Sequence, residues 1–122
     1  MKLHASAPSG AQVVTAYGDD YVAVNGVRHE QSIVVLPDRV QPWAARSFES
    51  LTEADFAELL QAGADILILG TGAKQRFPHP RLTAPLARSG IGLEVMSLHA
   101  ACRTYNILVA EERKVAAALL FR

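Results

Sequence analysis

Cysteine is nearly missing from this chain: its 122 residues include one, Cys102. No internal disulfide can form, which excludes the stapled secreted scaffolds and suits a reducing compartment. Net charge is missing as well, with 12 lysines and arginines against 12 aspartates and glutamates. That balance removes the footprint of a dedicated nucleic-acid binder. No apolar run approaches the ~18 residues of a membrane span, so no membrane insertion is expected. The start, Met1-Lys2-Leu3-His4-Ala5-Ser6-Ala7-Pro8, lacks the apolar stretch of a signal peptide. The histidines, His4, His29, His79 and His99, have no metal-ligand spacing. These absences describe a cytoplasmic protein with no metal and no cofactor.

What is present is apolar: 50% of the residues are hydrophobic, enough for a core. A chain of this length makes one domain and hides roughly two-thirds of its unfolded surface. Residues 1–11 are small, polar and broken by proline and glycine, which predicts a flexible N-terminal arm or an edge extension. Residues 12–122 read as a single α/β domain.

The chain is organised around Ile66 to Gly72, Ile-Leu-Ile-Leu-Gly-Thr-Gly. A short unbroken apolar run fits a strand covered on both faces. The glycines then predict a sharp turn or a close approach, and such a loop is where open α/β sheets place ligands. Before it, Gln12–Tyr17, Tyr21–Val24 and Val27–Val35, the last either whole or broken in two, read as a β-meander, with Asn25-Gly26 as its hairpin turn. Pro37 and Pro42 are expected to end that meander. Ser50 with Glu53, or Thr52 with Asp55, offers a capping box for a helix through Phe56, Leu59 and Leu60, stopped by Gly63. Leu82–Ser89 predicts a short helix, Ile91–Met96 a strand, Leu98–Glu112 a helix capped by Ser97, and Val115–Phe121 a closing strand. The expected architecture is a three-layer α/β domain: a central mixed sheet flanked by helices, with the β-meander at its N-terminus. The unit from Ile66 to Met96 is a parallel crossover, which brings Gly70-Thr71-Gly72 beside the start of the last helix.

Gly70-Thr71-Gly72 lacks the third glycine of a dinucleotide fingerprint, and Lys74 is not followed by Ser or Thr as a phosphate loop requires. Its backbone N–H groups, with those of the helix start, offer a place for a small anion. Arg103 falls on one helix face with His99 and Asn106 and would add a guanidinium. The opposing reading has the glycines as a packing turn, Arg103 paired to Glu94, and Asn106 tying down a loop. Cys102 follows Ala100-Ala101 in a small-residue stripe, which predicts an inert buried thiol rather than a nucleophile. Trp43, Phe48 and Phe77 either lid the sheet or form an exposed interaction patch.

Three stretches carry a resemblance: Gly70-Thr71-Gly72, Gly90-Ile91-Gly92-Leu93-Glu94-Val95-Met96, and Ala101-Cys102-Arg103-Thr104-Tyr105-Asn106-Ile107-Leu108. Ser32–Pro37 with Trp43, and Glu111–Leu120, agree with it. The chain resembles the small α/β domains of unknown function related to mitochondrial NADH dehydrogenase assembly factor three and to the adipogenesis-associated domain protein. The resemblance implies a three-layer domain with a mixed sheet and no settled catalytic activity. It implies an assembly role through an as yet unknown protein partner. It also maps a candidate pocket onto Gly70, Thr71, Gly72, Glu94, Arg103, Thr104 and Asn106. One departure is Leu98 between Ser97 and His99, which removes a hydroxyl from the helix start. A non-enzymatic interaction or assembly domain is therefore the first expectation. A small-molecule or anion-binding protein using Gly70–Gly72 and Arg103 is the alternative.

Overall fold

The structure, a computed structural model, describes residues 1–3 and 8–122. The chain begins with a small antiparallel sheet of β1 (Val14–Tyr17), β2 (Val22–Val24) and β3 (Val27–His29), in that order. Asn25 and Gly26 both take positive φ, 47° and 82°, so the β2–β3 hairpin closes with Val24 opposite Val27. Met1–Leu3 runs along β1, with Lys2 bridged to Ala16 and the Leu3 N–H donating to the Thr15 carbonyl at 3.0 Å. His4 lies outside the described residues.

The larger sheet has five strands: β4 (Ile33–Leu36), β5 (Arg39–Pro42), β6 (Ile66–Thr71), β7 (Gly92–Met96) and β8 (Val115–Leu120), in the order β5-β4-β8-β6-β7. β6 pairs in parallel with β7 and β8, while β4 pairs antiparallel with β5 and β8, so the sheet is mixed. Three α-helices complete the chain: α1 (Glu53–Glu58, continued by a 3-10 turn over Leu59–Ala62), α2 (Pro80–Arg88) and α3 (Leu98–Ala110). The connection β6–α2–β7 steps one way across the sheet and β7–α3–β8 steps back. With right-handed crossovers this sends the two helices to opposite faces. The period-two alternation of the strands records it. Ile33, Val35, Ile68, Val115, Ala117 and Leu119 pack with α3 and the small sheet. Val34, Leu36, Leu67, Leu69, Ala116, Ala118 and Leu120 pack with α1 and α2. The layers are therefore α1 and α2, the five-stranded sheet, then α3 beside the small sheet, as the three-layer reading requires.

The structure decides between the open local alternatives and corrects two boundaries. Val27–Val35 is two strands, because the chain leaves one sheet at His29 and enters the other at Ile33. Pro42 does not end the meander but is the last residue of β5, a strand of the larger sheet, opposite Ile33. The Trp43 N–H reaches the Ser32 carbonyl, so by ladder parity the Pro42 nitrogen points away from β4, where its missing donor costs nothing. α1 is capped by Thr52 and Asp55 rather than Ser50 and Glu53. The Ser50 hydroxyl is engaged with Ser47 instead. α3 stops at Ala110 instead of Glu112, because Glu112 takes φ of 59° and the Arg113 N–H turns back to the Leu108 carbonyl.

Candidate functional site

At the carboxyl end of β6 the structure brings the glycine segment and the α3 start together. The Leu98 N–H donates to the Gly72 carbonyl at 2.7 Å. The segment is less of a loop than its glycines suggested. β6 continues through Thr71, and Gly72 alone turns, with φ of 81°. Gly70 is needed for closeness: a Cβ there would stand 3.1 Å from both Ala101 Cβ and Leu119 Cδ2, and 3.4 Å from Leu98 Cα. The first turn of α3 thus rests on bare strand backbone.

The polar groups at this end face inward. Thr71 is fully buried; its hydroxyl donates to the Lys74 carbonyl at 2.6 Å and accepts the Arg76 N–H at 3.0 Å. It knots the segment between β6 and α2 back onto the strand. The α3 N-terminus is also occupied, since Leu98 uses the Gly72 carbonyl and the Ala100 N–H reaches the Ser97 hydroxyl. Fewer N–H groups remain there for an anion.

His99, Arg103 and Asn106 do share one face of α3, and it is turned to the small sheet. His99 stacks on Tyr17 at 4.2 Å, with its Nε2 3.1 Å from the Gly18 carbonyl oxygen. The Arg103 guanidinium is exposed and donates to the Tyr17 hydroxyl at 2.8 Å, not to Glu94. Asn106 accepts the Val14 N–H at 2.9 Å and donates to the Val14 carbonyl at 2.8 Å. Its amide stands in for a strand partner at the irregular start of β1. Glu94 is exposed on β7, at the opposite end of the strand order from β4. Thr104 is half-buried. Of the seven candidate residues, Gly70, Thr71 and Gly72 form one group at the sheet end, and Arg103 and Asn106 another against β1. Glu94 sits at the outer edge. Four grooves stand out among the described residues, and other side chains build their walls.

Cys102 is fully buried, and burial pushes its thiol up to about 12 despite the neighbouring Arg103. Such a thiol stays protonated and unreactive at neutral pH.

The aromatics divide. Trp43 is buried edge-on against Phe56, and Phe48 is half-buried, so these two lid the sheet. Phe77 is 70% exposed. Beside it, Arg76 lies over the Phe48 ring at 4.4 Å, pairs with Glu49 at 2.9 Å and donates to the Thr71 carbonyl at 3.1 Å. Its Nε is buried without a partner. The sequence carries a signal for this surface that residue motifs pass over. From Ile66 to Leu93 there is no acidic residue but there are Lys74, Arg76, Arg81 and Arg88, while Glu49 to Asp65 holds five acids and no lysine or arginine. α1 and α2 pack together, and Arg88 faces Glu53 at 3.7 Å.

Residues 14–120 match the family described as protein of unknown function (DUF498/DUF598). The chain belongs to that family. It is 30% identical over 112 residues to NADH dehydrogenase [ubiquinone] 1 alpha subcomplex assembly factor 3 of Bos taurus, covering 90% of this chain and 61% of the bovine protein. The chain thus spans about three-fifths of that relative's length. An uncharacterized protein of Rhodobacter capsulatus is 30% identical over 112 residues, covering 92% of this chain and 86% of its own length. A crystal structure of a Bordetella parapertussis protein superposes with a TM-score of 0.84 at 39% identity, covering 93% of this chain and 98% of that one. Among the described residues no helix of this family member is long and apolar enough to cross a membrane.

Proposed function

We propose that the chain is a non-enzymatic assembly factor, acting in the cytoplasm by binding protein subunits of a larger complex. The observation that carries this reading is at the carboxyl end of the sheet. There the Thr71 hydroxyl is spent on the fold, holding the segment after β6; Asn106, farther along α3, is likewise spent on β1. In the segment that Thr71 holds, Phe77 faces outward. It does not stand alone: Phe77 lines one groove with Phe48, Pro78 and Leu82, and a continuous apolar patch rimmed by polar residues marks an interaction site. Identity to a protein named as a respiratory-complex assembly factor, over nine-tenths of this chain, supports the same reading.

The experiment is to remove the chain from the organism that makes it and measure intact NADH dehydrogenase by native electrophoresis of its membranes. The expected result is fewer assembled complexes with subunit synthesis unchanged. Normal assembly would overturn the reading.

An alternative reading keeps one support, the exposed Arg103 guanidinium beside Tyr17. On it, a small anion docks at the Arg103 guanidinium, on the α3 face beside β1. Titration calorimetry with inorganic phosphate tests it, with Arg103→Ala expected to abolish any heat of binding.

A further inference from the structure

We propose that the segment Lys74–Leu82 is the docking site for an acidic segment of a partner protein that carries one exposed apolar side chain. The inference rests on the protein-binding reading above and adds the surface and the chemistry of the partner.

The apolar half of the surface is a groove of about 390 Å³ walled by Phe48, Leu51, Phe77, Pro78 and Leu82. Phe77 stands at its mouth, mostly in water. Pro78 and Pro80 follow it, and each fixes its own φ, so the aromatic is held out on a stiff backbone. Covering it therefore costs this segment little chain freedom. Aromatic side chains, phenylalanine among them, are enriched at the cores of protein interfaces.

The charged half selects the partner. In the acid-free stretch from Ile66 to Leu93, Lys74, Arg76, His79 and Arg81 flank Phe77 along the chain, and Arg76 and His79 line its groove. Glu49 answers Arg76 and Glu53 answers Arg88, but Lys74 and Arg81 have no ion pair among the described residues. Glu49 also shows what the surface takes: a carboxylate 2.9 Å from a guanidinium that is stacked on an aromatic ring. A partner presenting acids beside an apolar residue repeats that arrangement on Lys74, Arg81 and Phe77. The surface is concave and its central cation, Arg76, is already paired with Glu49, which favours a protein segment over a flat anionic membrane.

The test places the photocrosslinker benzoylphenylalanine at position 77 of the full chain in its own cells. The same probe goes at position 27 as a control, because Val27 is also exposed, at 60%, but on β3. The expected product, from position 77 and not from 27, is one protein segment of net negative charge with an apolar residue at the crosslink. A synthetic peptide of that segment should bind the purified chain. Phe77→Ser should weaken binding about tenfold or more, and Lys74→Glu with Arg81→Glu should weaken it too. Phe77→Leu should retain most of it. Because Phe77 is exposed, Phe77→Ser should keep the wild-type thermal midpoint. Equal crosslinks from both positions, or a neutral or basic captured segment, would overturn the proposal. So would sedimentation with phosphatidylglycerol vesicles that Phe77→Ser abolishes, since a membrane surface would then be the partner. The assembly role and the docking site fail separately. A position-77 crosslink in cells whose NADH dehydrogenase assembles without the chain sinks the assembly role and leaves the docking site. Full restoration of assembly by the Phe77→Ser chain sinks the docking site and leaves the assembly role.

Discussion

Two segments leave the same end of β6 and β7, and they treat their side chains in opposite ways. At the α3 start, Gly70, Leu98 and Ala101 close on one another and each nearby polar group meets protein. In the segment between β6 and α2, cations cluster on the surface and an aromatic ring is left in water. The α3 start has the composition of a ligand site, with Gly, Thr, Arg and Asn, while the β6–α2 segment has that of a plain connection. A polar residue near a sheet end is as easily a tie between elements as a hand held out to a ligand. An exposed aromatic on a stiff backbone has no such internal use.

Substitutions on the two segments break or sharpen this contrast. Asn106→Leu strands the N–H and the carbonyl of buried Val14. It should lower unfolding free energy by about 3 kcal/mol, since each unsatisfied buried group costs about 1–3. Urea denaturation with a loss under about 1 kcal/mol would remove Asn106 as a tie. Gly70→Val forces methyl groups against Ala101 and Leu119, and by the same measurement should cost about 1–3 kcal/mol. Thr71→Val deletes one donor and one acceptor of the segment after β6, for a loss of about 1–2 kcal/mol. Limited proteolysis should then cut between Ala73 and His79 sooner than in wild type.

At neutral pH a further effect is silent, and it emerges only in alkali, from Cys102. Its folded pKa, about 12, lies above the ordinary thiol value of 9.0, so the unfolded chain releases this proton first. Stability is therefore full below pH 9 and falls between pH 9 and 12, by at most about 1.4 kcal/mol per pH unit. The Tyr105 hydroxyl, also raised by burial, acts in the same direction. Cys102→Ala should flatten that decline relative to wild type, and an unchanged slope would refute the assignment. The smallest effect is expected at Arg103. Its side chain is exposed with Tyr17 as its hydrogen-bond partner, so Arg103→Ala should cost under about 1 kcal/mol. A loss several times larger would mean that Arg103, like Asn106, is a tie.

Much of the architecture was legible because periodicity reports burial. β8 alternates its six side chains between two cores, and its apolar run marked it to within one residue. Ser97 caps α3 at the position its sequence pattern predicts. β5 escaped notice because Pro37 and Pro42 read as breaks, and whether a proline breaks a strand depends on which way its nitrogen faces in the ladder. The two capping boxes differed by the position of Leu51, which is buried and sets where the helix begins. For the candidate site, the shared face of His99, Arg103 and Asn106 followed from helix geometry. That the face meets β1, on another sheet and about ninety residues away in the chain, did not.

By itself the sequence determined the class of the fold, the order of the elements from β6 to β8 and the two-faced burial of the central strands, because these depend on spacing along one segment. It also held the charge segregation between Glu49–Asp65 and Ile66–Leu93, which needs only a count of residues. The tertiary structure alone decided which polar groups meet protein and which face water. Hydrogen bonds are satisfied by whatever group packing brings within about 3 Å, and for Asn106, Arg103 and Thr71 those partners lie on other elements or around a turn.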